Sequence, residues 1–122
     1  MATPMHDPEF IYKIATAPVF EEARRRGVFT GMPIDVKDGY LHFSTATQLP
    51  DTLALHFAGR DDLVLLSVRP DAMEEGALRW EPSRGGVLFP HVHGSFPMSA
   101  VVRSAPIAVG DDGSCTLPEW VR

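Results

Sequence analysis

The sequence predicts an α+β fold with a largely antiparallel or mixed sheet. Short runs of strand-forming residues outnumber helical stripes along the chain. The run Leu63 to Val68 is nearly unbroken in its apolar character, the pattern of a central strand. The 11 prolines and 10 glycines are spread along all 122 residues, which suits many short elements joined by turns rather than a helical bundle.

Residues 1–9 read as a flexible N-terminus and 10–122 as a single globular domain. Residues 10–14 read as a first strand. Thr16 is a helix cap with Pro18 in the first turn, where its missing N–H costs little. Val19, Phe20 and Ala23 form an apolar stripe, and Gly27 closes the helix behind Arg24, Arg25 and Arg26, cations suited to a helix C-terminus. Residues 28–37, with Gly31 and Pro33, read as irregular. Asp38-Gly39 reads as a turn, followed by a strand over 40–44. Thr45 and Gln48 have the spacing of a capping box, with a short turn at Pro50 and a helix over 51–58. After the strand 63–68 come a loop, an alternating strand at Leu78 to Glu81, a Gly85-Gly86 loop, and a strand at Val87 to Phe89 ended by Pro90. Closing strands are expected over 99–103 and 107–109, with Trp120 pinning the tail. The expected core contains Leu41, Phe43, Leu53, Phe57, Val64, Leu66 and Trp80.

Composition narrows the function. The net charge is −5, which argues against broad nucleic-acid binding, since tracking a phosphate backbone takes clustered Lys and Arg in excess. A small anionic or nucleotide-type ligand, held by one Arg and backbone amides, remains compatible. Cys115 is the only cysteine, so no intrachain disulfide is possible. No targeting segment or membrane-length apolar run is present, and a cytoplasmic monomer is expected.

Two stretches carry chemistry. In Asp38-Gly39-Tyr40-Leu41-His42-Phe43-Ser44-Thr45, strand alternation sends Leu41 and Phe43 to the core and Tyr40, His42 and Ser44 to the other face. His42 there either lines a cleft or is an inert, hydrogen-bonded histidine on a half-wet sheet. In the stretch from Trp80 to His93, Glu81 is a candidate base, Arg84 a fork for phosphate or carboxylate, and Gly85 and Gly86 let backbone amides approach an anion. His91 is a candidate for proton transfer. The competing reading is a hairpin tip with a surface ion pair. His42, His91 and His93 also permit a metal-dependent enzyme. Pro90 and Gly94 bracket the two later histidines and disturb the strand geometry such a site needs, so no bound metal is expected.

The blocks Ile11-Tyr12-Lys13-Ile14, the stretch from Asp38 to Thr45, Trp80-Glu81, and Arg84-Gly85-Gly86 with Phe89-Pro90-His91 together resemble the bacterial domain-of-unknown-function family 952. The resemblance runs from about residue 10 to 107. It implies a split, largely antiparallel sheet with two or three short helices, similar to the ADP-ribosyltransferase-like fold. It also implies a cleft that takes NAD, as a substrate, or an ADP-ribosylated molecule. In that setting His42, Ser44, Thr45, Arg84, Gly85 and Gly86 would bind the substrate, with Glu81 and His91 catalytic. No tyrosine after Tyr40 matches the stacking tyrosine of those enzymes. A non-catalytic small-molecule or protein-binding module is the alternative.

Overall fold

The computed structural model describes residues 7–122, apart from the side chain of Arg84. Of the expected N-terminal tail, residues 1–6 therefore lie outside the described residues. The chain forms β1 (Ile11–Thr16), α1 (Ala17–Arg26), β2 (Val28–Phe29), α2 (Pro33–Asp38), β3 (Leu41–His42), α3 (Leu49–His56), β4 (Leu63–Val68), β5 (Leu78–Pro82), β6 (Leu88–Val92), β7 (Phe96–Pro97) and β8 (Val101–Ile107). This is an α+β arrangement of antiparallel strands and short helices. One sheet has the order β1-β4-β8, another β3-β6-β5, and β2 pairs with β7 alone. Among the described residues the two larger sheets meet at a single backbone bridge, where Tyr12 and Ser44 exchange N–H to C=O bonds of 2.9 Å in both directions.

β4 is central because it is covered on both faces. Val64, Leu66 and Val68 pack with Ile11, Ala15, Phe29, Leu41, Phe43 and Phe96 in one core. Leu63 and Leu65 pack on the opposite face with Tyr12, Ile14, Leu49, Leu53 and Ile107. The C-terminal segment closes this second core: Trp120 stacks on Tyr12 at 6.5 Å between ring centroids. Alternation along β1 puts Lys13 on the first core's side, between Ile11 and Ala15, and it is only 3% exposed.

Several elements differ from the sequence expectation. Residues 28–37 are not irregular: they contain β2 and α2. Pro33 starts α2 where no N–H is needed, Asp35 Oδ2 accepts the Met32 N–H at 2.6 Å, and Gly39 ends the helix at φ 87°. The Asp38-Gly39 pair is thus a helix end rather than a free turn. The strand expected over 40–44 keeps regular pairing only at Leu41–His42. Pro90 does not end β6, which continues to Val92. Its carbonyl accepts the Phe43 N–H at 3.0 Å, and the reciprocal bond that Pro90 cannot donate falls just past the end of β3, where its loss does not interrupt the ladder. The two closing strands are one, β8. The helix expected over 51–58 begins earlier, at Leu49, behind the capping pair: Thr45 N–H donates to Gln48 Oε1 at 3.0 Å and Gln48 N–H to Thr45 Oγ1 at 3.3 Å. Leu41, Phe43, Leu53, Val64 and Leu66 are buried as expected. Phe57 and Trp80 are only half-buried, Phe57 because it caps α3 and Trp80 because its indole N–H turns out to Asp7 Oδ1 at 2.9 Å.

Candidate functional site

An imidazole-rich face forms on the sheet β3-β6-β5. The register sets His42 opposite His91, and His91 opposite Arg79. Leu41, Val92 and Leu78 are aligned on the core side, so the intervening residues point away from it. Glu81, one diagonal step from His91, accepts from His91 Nδ1 at 2.9 Å and from His93 Nε2 at 2.7 Å, both on the same oxygen Oε1. Tyr40 lies over the group. Its ring stacks on His91 at 4.3 Å and 24°, and contacts His42 at 4.8 Å and His93 at 5.3 Å.

A second network holds His42. Its Nδ1 is 2.7 Å from Asp35 Oδ1 and its Nε2 is 2.9 Å from Asp38 Oδ2. Asp35 and Asp38 are three residues apart on α2, the spacing that puts two side chains on one helix face. Beneath them Lys13 Nζ meets both oxygens of Asp35, at 3.0 and 2.8 Å, and donates to the His42 carbonyl at 2.9 Å. This is a buried ion pair in which the spare donors and acceptors are also matched, the condition under which burial of charge is tolerated.

The electrostatics follow from these contacts. Burial alone would raise the Asp35 carboxyl, but hydrogen bonds from His42 and the Lys13 ammonium outweigh it and hold it at about 2. Burial pulls the Lys13 ammonium below the ordinary lysine range, against the attraction of Asp35. The His93 hydrogen bond, opposed by burial and joined by His91, holds Glu81 below the usual carboxylate range. Burial likewise pushes the His91 imidazolium down, against Glu81. His91 is therefore a neutral imidazole at pH 7, with Nδ1–H donating to Glu81. Burial, with the Asp38 and Glu81 carboxylates, pushes the Tyr40 phenol up, so it stays protonated.

A scan of protein-family models matches residues 14–104 to the family described as "Protein of unknown function (DUF952)". The chain belongs to the DUF952 family. The crystal structure of protein CC0527 from Caulobacter crescentus is 37% identical to it, over 88% of this chain and 93% of that one, with a TM-score of 0.80. The solution NMR structure of CC0527 is likewise 37% identical, over 87% and 90% of the two chains, with a TM-score of 0.74. No functionally curated protein matches the chain.

Against this DUF952 scaffold, the sequence-derived site divides. His42, Glu81 and His91 come together, with His93 and Tyr40 beside them. Ser44 does not join them by hydrogen bond: β3 ends at His42, and the buried Ser44 hydroxyl pairs with Thr52 Oγ1 of α3 at 3.2 Å. Thr45 is engaged in the turn ahead of α3, where it exchanges hydrogen bonds with Gln48, the residue at the helix N-cap. Gly85 and Gly86 form an exposed turn at φ 63° and 80°, where the Gly86 N–H is already donated to the Ser83 carbonyl at 2.9 Å. The side chain of Arg84 lies outside the described residues. Lys13, Asp35 and Asp38 were not anticipated as site residues. The alternation of β1 carried a signal for Lys13, a charge amid apolar neighbours, but its partner lay in a stretch read as irregular.

Among the described residues, no three His, Cys, Asp or Glu side chains are grouped so as to hold one metal ion. The ring nitrogens of His42, His91 and His93 named above face carboxylates instead. No helix among the described residues is long and apolar enough to cross a membrane.

Proposed function

We propose that the Tyr40, His42, Glu81, His91 and His93 face binds NAD or an ADP-ribosylated molecule and acts on its glycosidic bond, in a cytoplasmic, monomeric protein with a sheet arrangement of the ADP-ribosyltransferase-like type. The observation that carries the reading is the meeting of three imidazoles, a protonated phenol and an ionised carboxylate, from three strands, the residue before β3 and the residue after β6, on one face. His42 and Tyr40 would hydrogen-bond ribose hydroxyls. Glu81, kept ionised by its two histidines, would stabilise the positive charge that develops at the anomeric carbon as the nicotinamide or acyl group leaves. His91, neutral and braced by Glu81, is a base for the incoming hydroxyl or water. Arg84 would meet the pyrophosphate.

A non-catalytic binding module is the second reading. It is favoured by the pairing of the carboxylates: Glu81 already holds two imidazoles, and Asp35 and Asp38 hold the third. One experiment separates the two readings. A backbone amide titration with NAD and then ADP-ribose should shift Leu41, His42, Glu81 and His91, and nicotinamide should be released from NAD on standing. Shifts without release leave the binding module; no shifts with either nucleotide end both nucleotide readings.

A further inference from the structure

His42 is held unequally by its two carboxylates. Asp35 is fully buried, and its oxygens accept from Lys13 Nζ, the Met32 N–H, the His42 backbone N–H and His42 Nδ1. Four donor groups fill the roughly four lone-pair positions of a carboxylate. An ionised carboxylate only accepts, so Nδ1 carries a proton in this arrangement. The opposite nitrogen, Nε2, meets Asp38 Oδ2 at 2.9 Å, and the Asp38 side chain is 35% exposed at the end of α2. One carboxylate is thus locked into the core and the other stands at the rim.

We propose that Asp35, backed by Lys13, is the positioning residue for His42: it holds a proton on Nδ1 and aims Nε2 outward, where a neutral ring accepts from a ligand hydroxyl and a protonated ring donates to a phosphate oxygen, the acceptor's place that Asp38 Oδ2 takes in this structure. The inference rests on the reading of this face as a nucleotide-ligand site and adds which atom of His42 meets the ligand, and what the ligand displaces. Lys13 anchors the device because β1 is the strand where the two sheets join. Its ammonium reaches the His42 carbonyl as well as Asp35, so ring and backbone of His42 are fixed from one side chain. Asp38 competes with the ligand oxygen for the same nitrogen, and its negative charge repels an anionic ligand.

The test reads the histidine directly and uses ADP-ribose as the probe. Long-range proton–nitrogen correlation spectra of the His42 ring are recorded at a pH where the ring is neutral, for the wild type, D38A, and the double variant K13Q/D35N. The double variant keeps a neutral hydrogen-bonded pair in the core, where D35N alone would strand a buried ammonium. In the wild type and D38A, Nδ1 should be the protonated nitrogen; in K13Q/D35N that preference should be lost. ADP-ribose should bind D38A several-fold more tightly than the wild type, and K13Q/D35N about tenfold more weakly, the scale of one charge-assisted hydrogen bond. An unprotonated Nδ1 in D38A, or an unchanged tautomer in a folded double variant, overturns the positioning role. Equal affinity of D38A and wild type overturns the role given to Asp38. If the tautomers behave as stated and ADP-ribose binds none of the three proteins, Asp35 keeps its positioning role and the nucleotide reading falls. Should the double variant not fold, the D38A tautomer and affinity decide alone.

Discussion

Asp35 Oδ1 binds His42 twice, at the ring Nδ1 (2.7 Å) and at the backbone N–H (2.9 Å). The helix α2 and the strand β3 are joined by this one oxygen across Gly39 and Tyr40. Behind it, Lys13 supplies the compensating charge. Removing the ammonium alone leaves a buried, uncompensated carboxylate. Lys13→Met should cost about 3–5 kcal/mol in urea unfolding, whereas replacing both partners by apolar residues, Lys13→Met with Asp35→Leu, should cost much less. Equal losses in the single and double variants would show that the pair is not energetically coupled.

The same carboxylate sets an acid limit. Asp35 titrates at about 2 in the folded chain, below its ordinary 3.8. A carboxylate depressed by folding contributes stability that is complete above the unfolded value and is lost as pH falls through the folded one. Unfolding free energy measured from pH 5 downward should therefore decline between about 4 and 2. In the Lys13→Met, Asp35→Leu double variant that part of the decline should be absent.

His91 acts at a higher pH. Burial lowers its pKa from the ordinary 6.5, so the unfolded chain takes up a proton that the folded chain refuses. Stability should fall as the pH drops below the unfolded value, and level off only below the folded one. His91→Gln should flatten that slope. In a proton NMR titration the His91 ring signals should move at a pH below that of an exposed histidine; a midpoint at or above 6.5 would contradict the burial under Tyr40.

The second core can be probed on α3. Leu53 is fully buried, and Leu53→Ala should cost roughly 2–5 kcal/mol. Phe57, half-buried at the helix end, should cost less when truncated than the 3–5 kcal/mol typical of a fully buried phenylalanine. Chevron or equilibrium urea data for both variants check the order.

Gly39 stands between Asp38 and Tyr40 at φ 87°, and a Cβ there would meet nothing within 4 Å. Gly39→Ala should thus cost only the backbone conformation, about 1–2 kcal/mol. Because it strains the link between the two site residues, it should also shift the ring signals of Tyr40 and His42 relative to the wild type.

Much of this was legible in the sequence where the signal was local. The apolar run of β4, the Pro18 and Gly27 ends of α1, and the reciprocal pair Thr45 and Gln48 each encode their element in a few adjacent residues. Alternation also put His42 on the face opposite Leu41. What escaped was short or tertiary. α2 has six residues, too few for an apolar period, and Gly31 and Pro33 read as breakers although Pro33 starts the helix. Asp35, the partner of Lys13, vanished with it. Ser44 was placed with His42 by extending the alternation past the point where β3 stops. His91 and His93 were paired with Glu81 only by the register of β5 and β6, which depends on β6 running through Pro90.

Tyr12 and Lys13, adjacent on β1, make the joint between the two larger sheets in different ways. One does so through the backbone bridge to Ser44, the other through its ammonium to Asp35 and the His42 carbonyl. Local opening of that seam would have to break the bridge and unpair a buried charge in the same event. The imidazole face is therefore tied to the seam between the sheets, and in hydrogen exchange the amides of Tyr12, His42 and Ser44 should be released together, by global rather than local unfolding.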